Sequence, residues 1–124
     1  MSPRIEIKQV TTRAEKRAWL NFPYQFYRDD PLWVPPIFGD REKLTDPNRG
    51  DFYKAGYADF YTAYVDGQAA GTICMHHEET GDPREATIGF FECANDPELA
   101  KAMFDHAANW AAGHSLTQIG RAHV

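Results

Sequence analysis

Two apolar runs, Tyr57 to Val65 and Gln68 to His77, are separated only by Asp66-Gly67. That dipeptide tolerates positive backbone angles at both central positions of a two-residue turn, so the spacing predicts an antiparallel hairpin in the middle of the chain. No other short stretch restricts the fold as tightly, because the hairpin sets a sheet that the remaining segments must cover.

A second joint lies downstream. Ala86 to Cys93 reads as a short apolar strand, and Ala94-Asn95-Asp96-Pro97-Glu98 as a polar corner opening a helix. Asp96 can accept from an orphan backbone N–H, and Pro97 fits the first helical position, where no donor is needed. Leu99, Met103, His106 or Ala107, and Trp110 then recur at helical spacing until Gly113, which is expected to stop the helix. A strand that delivers a helix N-terminus to a sheet edge is a common way to build an anion site.

Upstream, Ile5, Ile7 and Val10 against Glu6 and Lys8 give the period of a first strand. Thr12-Arg13-Ala14-Glu15 matches a capping box, with Ala14, Ala18 and Phe22 expected to face inward and Pro23 to interrupt or kink the helix. From Asp29 to Gly50 the prolines exclude a long element, yet Trp33, Val34, Ile37, Phe38 and Leu44 are too apolar for a disordered linker, so a packed loop with a short helix near Asp40 to Leu44 is expected. Thirteen of the seventeen aromatic residues fall between Trp19 and Tyr64, which puts either core packing or an aromatic pocket wall on that side of the sheet. The polar stretch Glu78 to Arg84 returns the chain to the next strand.

With 124 residues the chain is long enough for one domain with its own core. A net charge of -5 without a basic cluster argues against nucleic-acid binding. The apolar runs are too short for a membrane span and the N-terminus lacks a signal-peptide core, so a cytoplasmic protein is expected. Cys74 and Cys93, in separate strands, read as reduced thiols. Alternation sends His76 and His77 to opposite faces, a poor start for a metal site, and they read as surface histidines; no metal site is expected.

The order of elements, together with Phe22-Pro23-Tyr24-Gln25-Phe26-Tyr27, Asp30 to Pro36, Asp66-Gly67 with Gly71-Thr72-Ile73, and Gly89-Phe90-Phe91-Glu92 with Asp96-Pro97, resembles the GNAT superfamily of acyl-coenzyme A-dependent N-acetyltransferases. The resemblance implies an α+β fold with a mainly antiparallel sheet of about four strands and flanking helices. It also implies acetyl-CoA or another acyl-CoA as donor and a small-molecule amine as acceptor. The pantetheine arm would then pair with the backbone at Phe91, Glu92 and Cys93, and the pyrophosphate would rest at Ala94, Asn95 and Asp96. The corner departs from the superfamily pattern: it has no glycine, Pro97 removes a donor, and Asp96 and Glu98 bring negative charge to the anion position. Glu92 reads either as the base that deprotonates an amine or as a solvated or capping carboxylate. The function expected is an N-acyltransferase-like protein, the alternative a non-catalytic binding or interaction module on the same fold.

The last six residues, Ile119 to Val124, match the translation of ATC GGA AGA GCA CAC GTC, a common sequencing-adapter sequence whose next triplet is a stop. Residues 1–118 therefore read as a partial GNAT-like domain, truncated before or within its fifth strand, and 119–124 as a non-native tail. Such a fragment is expected to be inactive and to self-associate through the exposed edge of the Phe90 and Phe91 strand.

Overall fold

The computed structural model describes residues 4–35, 38–46, 56–79 and 81–121. The expectations placed on Pro36, Ile37, Pro47 to Gly50, Thr80 and Ala122 to Val124 lie outside these residues. The elements are β1 (Ile5–Gln9), α1 (Arg13–Phe26), α2 (Phe38–Leu44), β2 (Gly56–Val65), β3 (Gln68–Glu78), β4 (Glu85–Cys93), α3 (Pro97–Gly113) and β5 (Gln118–Arg121).

The five strands lie in sequence order, antiparallel from β1 to β4 and parallel between β4 and β5. The predicted hairpin forms, with Val65 opposite Gln68 and φ values of 51° at Asp66 and 83° at Gly67. Its turn is tied to the first strand by Arg4 N–H donating to Asp66 Oδ1 at 2.9 Å and by Asp66 N–H donating to Arg4 O at 2.8 Å.

Each face of the sheet has its own cover. On one, Leu99, Met103, Ala107, Trp110 and Ala111 of α3 pack on Tyr61, Ala63, Ile73, Met75 and Ala86, with Ile5 and Ile7 at the margin. On the other, Trp19 and Leu20 of α1 pack on Phe60 and Cys74, joined by Val10, Phe38 and Phe90. The two cysteines fall on opposite faces and both are free thiols, Cys74 with the Trp19 cluster and Cys93 with the α3 core.

Helix α1 starts in the predicted capping box: Glu15 N–H donates to Thr12 Oγ1 at 3.1 Å, and Glu15 Oε1 accepts from Thr12 N–H at 2.9 Å. Pro23 does not interrupt it. A mid-helix proline costs about 3 kcal/mol, and burial of Trp19, Leu20, Phe22 and Pro23 offsets that cost. Ala14 and Ala18 are exposed rather than inward; Ala14 borders an open groove shared with Ala58 and Phe60 of β2, which leaves it facing solvent. At the far end of α3, Gly113 is the last helical residue and not the stop. Ser115, at φ 60°, makes the left-handed turn, and Leu116 N–H closes on Ala111 O at 2.8 Å.

Two further expectations are corrected. His76 and His77 are buried, because β3 is the central strand and is covered on both faces; His77 Nδ1 donates to Glu85 O at 2.8 Å. The sheet has five strands rather than four, since Gln118–Arg121, within the stretch read as strand start and tail, pairs with Glu85–Ile88.

Candidate functional site

Strand β4 changes character halfway. Residues 85–88 pair with β5, and Thr87 and Ile88 with β3 as well, whereas 89–93 have no strand partner on the β5 side among the described residues. The ladder with β3 also slips there. Cys74 faces Gly89 and Thr72 faces Glu92, so Phe90 and Phe91 together stand opposite Ile73. This is a β-bulge, and it requires φ of 50° at Phe90, a left-handed conformation that costs a bulky residue about 1–3 kcal/mol. Thr72 Oγ1 donates to Phe90 O at 3.1 Å and secures the distorted peptide.

The extra residue inverts the side-chain alternation. Before it, Ala86 and Ile88 face α3; after it, Phe91 and Cys93 do, and Phe90 packs with Trp19 on the other face. Glu92 is thereby turned away from the α3 core. In a regular strand it would share the face of Ala86 and Ile88, and a carboxylate there would be buried in an aliphatic core.

On the face where it lies, Glu92 meets Tyr27, the C-cap of α1, whose hydroxyl donates to Glu92 Oε2. Burial and this hydrogen bond to a carboxylate push the Tyr27 hydroxyl well above the ordinary tyrosine range. Tyr27 is held by rings: it stacks on Trp33 with centroids 5.4 Å apart, and Trp33 meets Tyr24 edge-on at 5.6 Å. The aromatic concentration expected from the sequence forms core at Trp19 and Phe60, and at Tyr24, Tyr27 and Trp33 a cluster of rings in mutual contact beside Glu92. Beside that cluster Phe26 is 40% exposed, Leu32 89% and Val34 84%. From the sequence Tyr27 stands out only as the end of the Phe22-Pro23-Tyr24-Gln25-Phe26-Tyr27 segment and as one of a dense group of rings, with no role of its own.

The β4–α3 corner forms as expected. Asp96 is the N-cap of α3, and its Oδ1 accepts from Glu98 N–H at 3.0 Å and from Leu99 N–H at 3.4 Å. Ala94 N–H donates to Ala70 O at 2.9 Å and Asp96 N–H to Ala94 O at 2.7 Å. The N–H groups of Ala94, Asp96, Glu98 and Leu99, four donors that an entering anion would use, are thus already engaged. Cys93 directs its thiol to Ala94 O at 3.1 Å, and its pKa is raised, chiefly by burial. Phe91 stacks on Phe104 of α3 at 4.9 Å. Gly71 lets these parts approach, since a Cβ there would stand 2.7 Å from Glu92 O and 3.0 Å from Met103 Sδ.

The structure therefore gathers Phe91, Glu92, Cys93, Ala94, Asn95 and Asp96 at one end of β4 but splits their side chains between the two faces. A groove of about 400 Å³ between Phe26, Val65, Asp66, Gln68, Ala70 and Ala94 borders this end. The larger groove, about 1060 Å³, lies at the opposite end of the strands, beside Thr12, Arg13, Lys16, Thr45 and Asp59. Among the described residues no three histidine, cysteine or acidic side chains converge as metal ligands, and no helix is long and apolar enough to cross a membrane.

No family model matches the chain. Protein YghO of Escherichia coli strain K12 is 28% identical over 119 residues, covering 91% of this chain and 30% of that protein. A bacterial ceramide synthase of Caulobacter vibrioides is 24% identical over 125 residues, covering 97% and 31%. The chain thus spans about a third of the length of these curated relatives. Among solved structures, a tandem GNAT protein from the clavulanic acid biosynthesis pathway superposes with a TM-score of 0.71 at 15% identity, covering 94% of this chain and 35% of that one. The aminoglycoside N-acetyltransferase AAC(6')-Iy in complex with CoA gives 0.63 at 14% identity, covering 100% and 80%. A predicted acetyltransferase from Clostridium acetobutylicum with acetyl-CoA gives 0.62 at 12%, covering 97% and 81%. The fold is that of the GNAT acetyltransferases: α+β, with a mainly antiparallel five-stranded sheet and flanking helices.

Proposed function

We propose that this chain carries the base-bearing face of an acyl-CoA-dependent N-acyltransferase. The observation that carries this reading is the bulge at Phe90, which turns Glu92 out of the α3 core and toward Tyr27 beside an open strand edge. Glu92 is the group that accepts a proton from an acceptor ammonium, leaving the neutral amine to attack the acyl thioester carbon; the C–S bond breaks, and the departing coenzyme A thiolate takes the proton that the new amide nitrogen sheds. Tyr27 holds that carboxylate in one orientation and supplies it with a hydrogen-bond donor, so a second donor, the ammonium, approaches the remaining lone pairs. Thr72, paired with Glu92 across the ladder, fixes the strand beneath it.

A small-molecule amine is the acceptor class supported by the aminoglycoside acetyltransferases of the same fold. The relative described as a bacterial ceramide synthase favours an aliphatic acyl or acceptor chain, for which Phe26, Leu32 and Val34 offer exposed apolar surface beside the Tyr27 ring cluster.

The donor fits this chain unevenly. The backbone edge at Phe91 to Cys93 suits an extended pantetheine arm, because it has no strand partner on that side among the described residues. The Ala94–Asp96 corner does not suit a pyrophosphate, because the Asp96 carboxylate occupies the helix N-terminus and adds charge of the wrong sign. That filled corner also favours a second reading, a binding module that keeps the fold without the transfer reaction. Calorimetric titration of acetyl-CoA into this protein and into Asp96→Gly separates the two. The enzyme reading expects binding in both, tighter in the variant. No heat in either protein at millimolar ligand would leave the module.

A further inference from the structure

On α2, Arg41 is only 8% exposed. Its Nη1 donates to Leu20 O at 2.6 Å, and among the described residues no carboxylate forms an ion pair with it. Aromatic rings surround it instead: Cζ lies 5.7 Å from the Trp19 ring, 5.9 Å from Tyr24 and 5.6 Å from Phe90. A buried guanidinium that no described carboxylate pairs is a poor source of stability, since an apolar side chain of similar volume commonly serves as well or better. What the charge does provide is direction, because a cation is attracted to ring faces and so fixes how those rings stand.

Two of the three rings lead to the candidate site by separate routes. Phe90 is the residue held at φ 50°, whose bulge decides which face Glu92 takes. Tyr24 contacts Trp33, which stacks on Tyr27, which donates to Glu92. The third ring, Trp19, braces Phe90 edge-on at 5.5 Å. Arg41 thus contacts both the strand distortion that turns the carboxylate and the ring chain that brings its tyrosine.

We propose that Arg41 is a positioning residue for the Tyr27–Glu92 pair, acting through its cation–π contacts with Phe90 and Tyr24. This rests on the reading of Glu92 as the base, but its geometric part is measured without any transfer assay. In Arg41→Met, which keeps volume and removes charge, the thermal midpoint is expected to hold or rise. The Phe90 Cα resonance is expected to leave the left-handed range, and the Tyr27 ring resonances to shift. If the protein transfers acyl groups, kcat falls at least tenfold with KM little changed, and Arg41→Lys recovers part of it. Phe90→Leu, which leaves Arg41 in place and removes the ring face, should move the same Tyr27 resonances and keeps the proposal testable if the methionine variant does not fold. Unchanged Phe90 and Tyr27 resonances in Arg41→Met, or unchanged Tyr27 resonances in Phe90→Leu, overturn the positioning role. Shifted resonances in a protein without transferase activity would instead leave Arg41 in its role and remove the enzymatic reading.

Discussion

The two faces of the sheet are closed by opposite means. Against α3 the contact is mostly aliphatic, built from Ile73, Met75, Leu99, Met103 and small alanines, with Trp110 Nε1 donating to Asp59 Oδ2 at 2.8 Å as its main polar tie. Against α1 and α2 it is aromatic and charged. Trp19, Phe60 and Phe90 are joined there by Arg41 and by Lys16, whose Nζ lies 4.0 Å over the Phe60 ring and donates to Thr45 O at 2.8 Å. Burial lowers the pKa of that lysine. The first arrangement is what stability alone selects, because dispersion and the hydrophobic effect ask for nothing polar. The second carries buried charge that stability does not require, and it is also the face to which the bulge delivers Glu92.

Substitutions on the two faces should therefore fail in different ways. Glu92→Gln is expected to reduce acyl transfer by about 10²–10⁴-fold, the usual worth of a positioned base, with the thermal midpoint nearly unchanged. Leu99→Ala, at a fully buried α3 position, is expected to cost about 2–5 kcal/mol of stability while activity per folded molecule is retained. Rates and urea midpoints for the two variants would break the comparison if Glu92→Gln lost stability and kept activity.

A smaller effect is expected where the faces meet at the corner. Glycine caps a helix almost as well as aspartate, so Asp96→Gly should cost about a few tenths of a kcal/mol. It also frees the Glu98 and Leu99 N–H groups that Asp96 now occupies. Inorganic pyrophosphate should then raise the thermal midpoint of the variant and not that of the parent. Equal shifts in both would show that the carboxylate does not guard the corner.

The same division explains what could be read from the chain. The Asp66-Gly67 hairpin, the Thr12 to Glu15 capping box and the Asp96 cap each depend on residues within four positions of one another, and all three form. The spacing of Leu99, Met103 and Trp110 marks the aliphatic face, because a helix on an aliphatic core must repeat apolar residues. Nothing local announces the bulge. Phe90 has no sequence preference for a positive φ, and its geometry follows from how β3, Trp19 and Arg41 surround it. The Tyr27–Glu92 contact joins residues 65 positions apart, and the burial of His76 and His77 follows from β3 being central rather than from their neighbours. Pro23 reads as an interruption or a kink because propensity is local, whereas the burial that carries α1 through it is tertiary.

The smallest expected effect concerns acid stability, and it tests whether the aliphatic face tolerates its one inward-facing titratable helix residue. His106 of α3 packs its ring edge-on against Tyr61 at 4.4 Å, and its Nε2 is buried without a hydrogen-bond partner among the described residues. That face also carries Asp59, which is engaged by Trp110, together with Tyr61, His77 and Cys93. Burial lowers the His106 pKa, so between the folded value and about 6.5 the unfolded chain binds the proton more readily. Stability should accordingly fall as pH drops from about 6.5 and level off below the folded value. His76, on the other face, is lowered in the same direction by burial, but Glu78 Oε1 lies 3.7 Å from its Nε2 and opposes the shift. His106→Leu should therefore flatten the loss of urea midpoint between pH 7 and pH 5, where His76 is present in both proteins and cancels. A slope identical to that of the parent would mean that solvent reaches the His106 ring in solution and that the aliphatic face is less closed than its packing indicates.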